Sequence, residues 1–165
     1  MCIRDRAGTP FLGICLGHQL ATVALGGQVC TSDHFCLGAA EMHLTPEGKK
    51  DPLLSVYDGH RGIHFNNDVA VVLPEDAVLL ARDPTGQIEA VRFAERAWGV
   101  QFHPECTPEI FDAWTIGHGE KEWQQRLPWS EAVTVAETVR RDIDTVNAEE
   151  AFAARFQELI DPEKR

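Results

Sequence analysis

The sequence lacks the long apolar runs, the positive charge and the cysteine spacing that define several large classes of protein. None of its apolar runs approaches the length of about 20 residues that crosses a bilayer, so we expect no membrane partner. Its formal net charge is −11, which argues against nucleic acid as a partner. Its five cysteines include no C-x-x-C pair, so we expect no zinc or other metal site.

What remains is a chain of 165 residues with 44% hydrophobic residues, which suits a globular domain with a core of its own.

One stretch combines a buried strand, a sharp turn and a helix around a cysteine. Phe11 to Ile14 is a short apolar run, and a helical pattern follows it. Between them, Gly13-Ile14-Cys15-Leu16-Gly17 is the cysteine version of the G-x-S-x-G nucleophile elbow.

The residue types in this motif are those that a nucleophile elbow requires. Glycines on both sides predict that strand and helix approach closely. Cys15 would lie at a helix N-terminus, where the helix dipole favours a thiolate. The backbone N–H of Leu16 would then be available to an oxyanion. A cysteine on its own is more often a small core residue, so the assignment depends on partners elsewhere in the chain.

A second stretch supplies those partners. Apolar side chains alternate from Trp98 to Phe102, as in a strand, and His103 lies at the C-terminal end. Glu105 follows two residues later and can orient the imidazole. Cysteine, histidine and carboxylate from separate strand ends are the nucleophile, base and orienting group of a triad.

The two stretches together resemble the class I, or triad-type, glutamine amidotransferase family. They read Gly-Ile-Cys-Leu-Gly-His-Gln at 13–19 and Gly-Val-Gln-Phe-His-Pro-Glu at 99–105. The most similar variant is the stand-alone bacterial group related to the glutaminase domain of GMP synthase. The resemblance implies hydrolysis of the glutamine side-chain amide through a γ-glutamyl thioester on Cys15. No cofactor is expected, and the ammonia would pass to a synthetase or other acceptor partner.

The resemblance also implies residues that bind glutamine. Gln19 matches the family's glutamine that contacts the substrate. The segment Asn66-Asn67-Asp68 matches a substrate-proximal segment only in part. Asn66 and Asp68 would bind the α-amino and α-carboxyl ends of glutamine, or the segment would form an Asx turn. His18 is interpreted as a structural residue beside the elbow.

The fold that the resemblance implies is a three-layer, flavodoxin-like α/β domain. Its central sheet would be mostly parallel, with Cys15 at the C-terminal end of one strand and an antiparallel set of strands at one edge. The sequence also predicts a loop over 31–37 and a polar turn at 66–68 between two short strands. Helices are expected from Ser130 to about Val146 and over roughly 149–160.

Family members carry several strands, helices and a glycine-rich loop ahead of the elbow, and that loop supplies a second oxyanion N–H. Only ten residues precede Phe11 here, so we expect the domain to be N-terminally truncated. Residues 1–8 are interpreted as a non-native or irregular leader, 9–120 as the C-terminal portion of the amidotransferase domain, and 121–165 as a C-terminal helical extension.

Three functions stay open at this point. The first is the glutaminase of an amidotransferase, and the second is a hydrolase of γ-glutamyl peptides or amides with the same triad. The third is a catalytically incomplete interaction or regulatory protein that forms part of a larger complex. The first two are separated by a substrate screen, and the third by gel filtration with candidate synthetases beside a glutaminase assay.

A reactive thiol beside a base suits a reducing compartment, so we expect a cytoplasmic protein.

Overall fold

The computed structural model describes residues 9–115, 129–143 and 148–161. The leader expected at residues 1–8 therefore lies outside the described residues, as do residues 116–128 between the second and third helices. In chain order the elements are β1 (Phe11–Ile14), α1 (Leu16–Ala24), β2 (Gln28–Glu41), β3 (His43–Leu44), 3₁₀ turns at Gly48–Lys50 and Leu54–Tyr57, β4 (Arg61–Val72), β5 (Val78–Arg82), β6 (Ile88–Ala94), β7 (Ala97–Val100), α2 (Pro108–Thr115), α3 (Trp129–Ile143) and α4 (Glu149–Ile160).

A five-stranded sheet lies at the centre, in the order β1-β7-β6-β5-β3. The α/β class is confirmed, but the described strands do not form a mostly parallel sheet. Only β1 and β7 run parallel, and the other three pairings are antiparallel. Strands β5, β6 and β7 follow one another through short turns, which can join only antiparallel neighbours, whereas β1 and β7 are connected by a long crossover.

The central sheet buries both of its faces, which gives the domain three layers. On one face, Trp98 and Val100 pack with Tyr57 and with Phe152 of α4. On the other face, Phe93 and its neighbours pack with α1. Alternate residues of β6 and β7 therefore enter two separate hydrophobic cores, as the pleat of a strand requires.

A second sheet is a long antiparallel ribbon formed by β2 and β4. The predicted loop over 31–37 and the predicted turn at 66–68 are both wrong, because these residues continue the two strands. A register shift between Thr31 and Cys36 absorbs the irregular segment without ending the strand. Side chains such as Asn67 and Asp68 face solvent, so polar residues are compatible with this ribbon.

The helices agree with the sequence more closely. Helix α2 begins after Thr107, whose hydroxyl accepts a hydrogen bond from the Ile110 N–H at 3.3 Å, as an N-cap does. Helices α2 and α3 pack on the ribbon through a small core that includes Ile63 and Phe111. No helix within the described ranges is both long and apolar enough to cross a bilayer.

A buried carboxylate holds the turns that follow β3 against the central sheet. Asp51 is 1% exposed. One of its oxygens accepts hydrogen bonds from the N–H groups of Leu53 and Leu54 at 2.9 and 3.0 Å. The Trp98 indole N–H donates to the same oxygen at 3.2 Å, and Arg92 reaches the other at 3.3 Å. This carboxylate thus joins two strands and a turn.

We expect Asp51→Ala to lower the free energy of unfolding by about 3 kcal/mol, because it leaves buried N–H donors without an acceptor. Urea denaturation measures the loss. The matched control is Asp58→Ala, since Asp58 forms an exposed ion pair with Lys49 at 3.0 Å. Such surface pairs contribute about 0–1 kcal/mol. Equal losses in the two variants would contradict the role given to Asp51.

Candidate active site

The turn between β1 and α1 holds Cys15 in a strained conformation. Cys15 has φ 46° and ψ −104°, and among the described residues no other non-glycine residue has a positive φ. Its N–H donates to the Val100 carbonyl at 2.8 Å, and its carbonyl accepts from the Gln19 N–H at 3.1 Å. These bonds fix the turn to β7 on one side and to α1 on the other, which over-determines the unusual backbone.

The two glycines of the elbow differ in what they do. A Cβ at Gly13 would lie 2.6 Å from the carbonyl carbon of Gly17, so the strand and the helix do approach as closely as predicted. A Cβ at Gly17 would meet no atom within 4 Å. Steric need for glycine therefore holds at position 13, whereas the expectation of a clash at position 17 is wrong.

The segment after β7 carries His103 and Glu105 together. The Nδ1 atom of His103 lies 2.7 Å from a carboxylate oxygen of Glu105. The His103 backbone N–H donates to the Ile63 carbonyl at 2.8 Å, which ties the segment to the ribbon. The imidazole is 11% exposed and the Glu105 side chain 43% exposed, so the carboxylate meets solvent while the ring is largely shielded.

The electrostatic surroundings of His103 favour its protonated form. Burial alone would lower the pKa of this imidazole. Interactions with the neighbouring Cys15 and with Glu105 outweigh burial and raise the pKa of His103 to about 9. At neutral pH the imidazole in this arrangement therefore carries a proton. Its Nε2 atom is buried and has no hydrogen-bond partner within the described part of the chain.

Three amide side chains connect the cysteine to the ribbon. The Gln101 Nε2 group donates to the Cys15 sulfur at 3.6 Å. The Gln101 oxygen accepts from the Gln19 Nε2 group at 3.2 Å, and the same group donates to the Asp68 carbonyl at 2.7 Å. Asn66 donates to that carbonyl as well, at 3.1 Å. Gln19, Asn66 and the Asp68 backbone are thus brought together beside Cys15.

Gln101 was missed by the sequence reasoning, although a signal for it exists. It lies between the buried Val100 and Phe102 and two residues before His103. It is fully buried, as a polar side chain is only when hydrogen-bonded. Polar residues in an apolar alternation therefore point to the site before any contact is known.

The Asp68 carboxylate makes its hydrogen bond outside the amide network. One of its oxygens accepts a hydrogen bond from the Thr31 hydroxyl at 2.8 Å, and the side chain is exposed. The Asx-turn alternative for this segment is wrong, because residues 66 to 68 pair with β2 as a strand. The Asn66 side-chain oxygen is buried and has no hydrogen-bond partner within the described part of the chain.

The neighbouring His18 packs against the central sheet. Its ring stacks on Phe93 with centroids 5.9 Å apart, and burial lowers the pKa of His18 to about 4. A Cβ at Gly99 would lie 2.5 Å from the His18 Nδ1 atom, so β7 has a glycine where this ring sits. His18 is therefore a neutral packing residue.

The backbone N–H of Leu16, the predicted oxyanion donor, lies at the start of α1. Leu16 begins α1, so its N–H belongs to the first turn, where helix N–H groups lack intrahelical acceptors. The residue is 63% exposed. Over the ranges that the structure describes, no group of three or more His, Cys, Asp and Glu side chains is placed to hold a metal ion.

Comparison with known sequences points to one family. The model of the family described as Glutamine amidotransferase class-I matches residues 2–117. The chain is 37% identical over 115 residues to the glutamine-hydrolysing GMP synthase of Marinobacter nauticus, covering 61% of this chain and 20% of that protein. It is 34% identical over 101 residues to one subunit of the glutamine-hydrolysing GMP synthase of Methanothermobacter thermautotrophicus, covering 58% of this chain and 51% of that polypeptide.

Comparison with solved structures agrees on the fold. A glutamine amidotransferase from Thermotoga maritima superposes with a TM-score of 0.76 at 19% identity, covering 96% of this chain and 65% of that one. One from Methylobacillus flagellatus gives 0.75 at 22% identity, covering 96% and 66%. The chain thus spans about two thirds of these structures, and between 20% and 51% of the two curated relatives.

Proposed function

Because the chain belongs to the class I glutamine amidotransferase family, we propose that it hydrolyses the side-chain amide of glutamine. The reacting groups are Cys15, His103 and Glu105. The observation that carries the proposal is the pairing of β1 with β7, which puts the cysteine turn and the histidine segment at adjacent parallel strand ends. The 2.7 Å contact from His103 to Glu105 supports the base and its orienting group.

In the first half of the reaction, the proton of the Cys15 thiol moves to His103, and the pKa of His103 near 9 keeps it there at neutral pH. The thiolate then attacks the side-chain carbonyl carbon of glutamine. The Leu16 N–H stabilises the oxyanion of the tetrahedral intermediate. His103 gives its proton to the departing nitrogen, so ammonia leaves and a γ-glutamyl thioester remains on Cys15.

In the second half, water hydrolyses the thioester. His103, now neutral, takes a proton from the water as the oxygen attacks the thioester carbonyl. The carbon–sulfur bond breaks, glutamate is released, and the proton returns to restore the starting pair. Glu105 holds Nδ1 of the imidazole through both halves and stabilises its charge.

The binding groups fit the two ends of glutamine. Gln19 and Gln101 lie next to Cys15 and orient the amide that reacts. Asp68 has an exposed carboxylate, and the buried oxygen of Asn66 is an acceptor without a donor in the described part of the chain. Both accept hydrogen bonds, so we assign them to the α-ammonium end of glutamine.

The ammonia has a destination in this proposal. One relative is named as a separate subunit of a glutamine-hydrolysing GMP synthase, and we extend to this chain a synthetase partner that consumes the ammonia. A free thiolate nucleophile also requires a reducing compartment, so we assign the protein to the cytoplasm.

The test measures glutamate and ammonia released from glutamine, beside glutamate released from a γ-glutamyl dipeptide, with the same purified protein. We expect glutamine to be hydrolysed faster, with one ammonia formed per glutamate. Faster hydrolysis of the dipeptide would assign the γ-glutamyl hydrolase function instead. Release from neither substrate, with or without added synthetase, would overturn the proposal and leave the non-enzymatic interaction or regulatory role.

A further inference from the structure

A tryptophan that no motif singled out lies against the imidazole of the site. The Trp114 and His103 ring centroids are 4.6 Å apart, with the ring planes inclined at 59°. Trp114 lies in the last turn of α2 and is half-buried. This distance is within the range in which an aromatic face attracts a cation, about 6 Å from the centroid.

The tryptophan ring also contacts the ribbon. Phe65 of β4 contacts it with centroids 5.6 Å apart, and Phe35 of β2 meets Phe65 edge to face at 5.3 Å. Trp114 also packs on the core that joins the ribbon to α2 and α3, which includes Ile63. The indole thus contacts the ribbon through Phe65 as well as the imidazole of His103.

The His103 imidazole needs a restraint on its orientation in addition to its contact with Glu105. The bond to Glu105 fixes the Nδ1 edge, but one hydrogen bond leaves the ring free to tilt about that contact. A second contact on the ring restricts the tilt, and so the direction of Nε2 toward Cys15. An aromatic neighbour also favours the imidazolium over neutral imidazole, because its quadrupole attracts positive charge.

We propose that Trp114 is a positioning residue, which holds the plane of the His103 imidazole and stabilises its protonated form. The inference deepens the proposed function and rests on it for the kinetic consequence. The orientation and charge of His103 can be measured without turnover.

The charged groups around His103 are few enough for the Trp114 ring to affect its protonation. Cys15 and Glu105 are the titratable groups that act on it directly. The other titratable groups nearby on α2 and β4 are bonded elsewhere: Glu109 to Thr107, Asp112 to Arg140 and His64 to Glu89. Replacing the uncharged Trp114 ring therefore changes the protonation of His103 without removing a charged group.

The experiment compares Trp114→Leu, Trp114→Phe and Phe65→Leu with the unaltered chain. Phe65→Leu is the matched control, since it removes a different ring that contacts Trp114 and leaves the contact between Trp114 and His103. Nuclear magnetic resonance of ¹³C-labelled imidazoles follows the titration of His103, assigned with His103→Gln. Glutamine kinetics give kcat and KM separately.

We expect Trp114→Leu to lower the His103 titration midpoint by about 0.5–1 pH units. We expect kcat to fall about 5- to 30-fold with KM changed less than about twofold, the factor for one partly desolvated ring–cation contact. Trp114→Phe keeps a π face and should recover most of both. Phe65→Leu should titrate like the unaltered chain.

Two results would overturn the inference: Trp114→Leu titrating like the unaltered chain, or Phe65→Leu shifting the midpoint as far. If Trp114→Leu does not fold, Trp114→Met takes its place, because methionine adapts to irregular gaps and carries no ring. If the unaltered chain does not hydrolyse glutamine, the proposed function fails, while the titration still decides the role of Trp114.

Discussion

The Cys15→Ser variant is expected to lose glutamine turnover by about 10⁴- to 10⁶-fold. A serine hydroxyl holds its proton far more tightly than a thiol, so His103 cannot generate a comparable nucleophile. The fold should stay intact, with the free energy of unfolding within about 1 kcal/mol, because the substitution is nearly isosteric at a half-buried position. Steady-state kinetics and urea denaturation measure the two effects.

Covalent labelling gives an independent reading of the same residue. A diazo-ketone analogue of glutamine should modify Cys15, and peptide mapping by mass spectrometry locates the adduct. Two of the other thiols are poor competitors, since burial raises the pKa of Cys36 and raises that of Cys106 to about 12. The control is Cys36→Ser, which should label as the unaltered chain does. An adduct at Cys30, Cys36 or Cys106 instead of Cys15 would refute the assignment.

His103 and Glu105 should differ in how much they matter. We expect His103→Gln to reduce kcat by about 10⁶-fold and Glu105→Gln by about 10⁴-fold, as removal of the base and of the orienting group does in other triads. His103 moves a proton in both halves of the reaction, whereas Glu105 acts through it. The difference is measured by kcat at saturating glutamine.

The dependence of turnover on pH tests whether Glu105 acts on the protonation of His103. The pKa of His103 is about 9, raised by Cys15 and Glu105 against the effect of burial. Turnover should therefore fall as the pH rises through about 9, where the imidazolium loses the proton that the departing ammonia needs. In Glu105→Gln this fall should move to lower pH, because one of the groups that raises the pKa is gone.

Glu109→Gln is the control for the Glu105 experiment. Glu109 lies four residues along the chain, is exposed and bonds to the Thr107 hydroxyl, so its removal should leave both turnover and the pH profile unchanged. If Glu105→Gln were kinetically silent, a different carboxylate would have to orient the imidazole.

The elements that the sequence predicted well are those with a strong local pattern. The strand over 11–14 and the last helix over 149–160 match the structure at both ends. Apolar periodicity, capping chemistry and the elbow motif all act over a few residues. Local sequence is sufficient to specify features of that range.

The features that sequence did not predict depend on contacts between distant residues. The continuous ribbon follows from pairing 28–41 with 61–72, and a strand that tolerates polar residues looks like a loop until its partner is known. Asp51 meets Trp98 across 47 positions, and Gln101 meets Cys15 across 86. The roles of Cys15, His103 and Glu105 were predicted from motifs and remain predictions until the substitutions are made.

The pairing of β1 with β7 has a consequence for how such a site can change. Cys15 is tied to β7 by its own backbone, through the 2.8 Å bond from its N–H to the Val100 carbonyl, while Asn66 and Asp68 belong to the separate ribbon. The Cys15 turn and the residues that we assign to the α-ammonium end of glutamine are thus encoded in different pieces of chain. Libraries of variants at positions 66 and 68 would change the proposed contacts with that end of the substrate while the pairing of the Cys15 turn with β7 is kept.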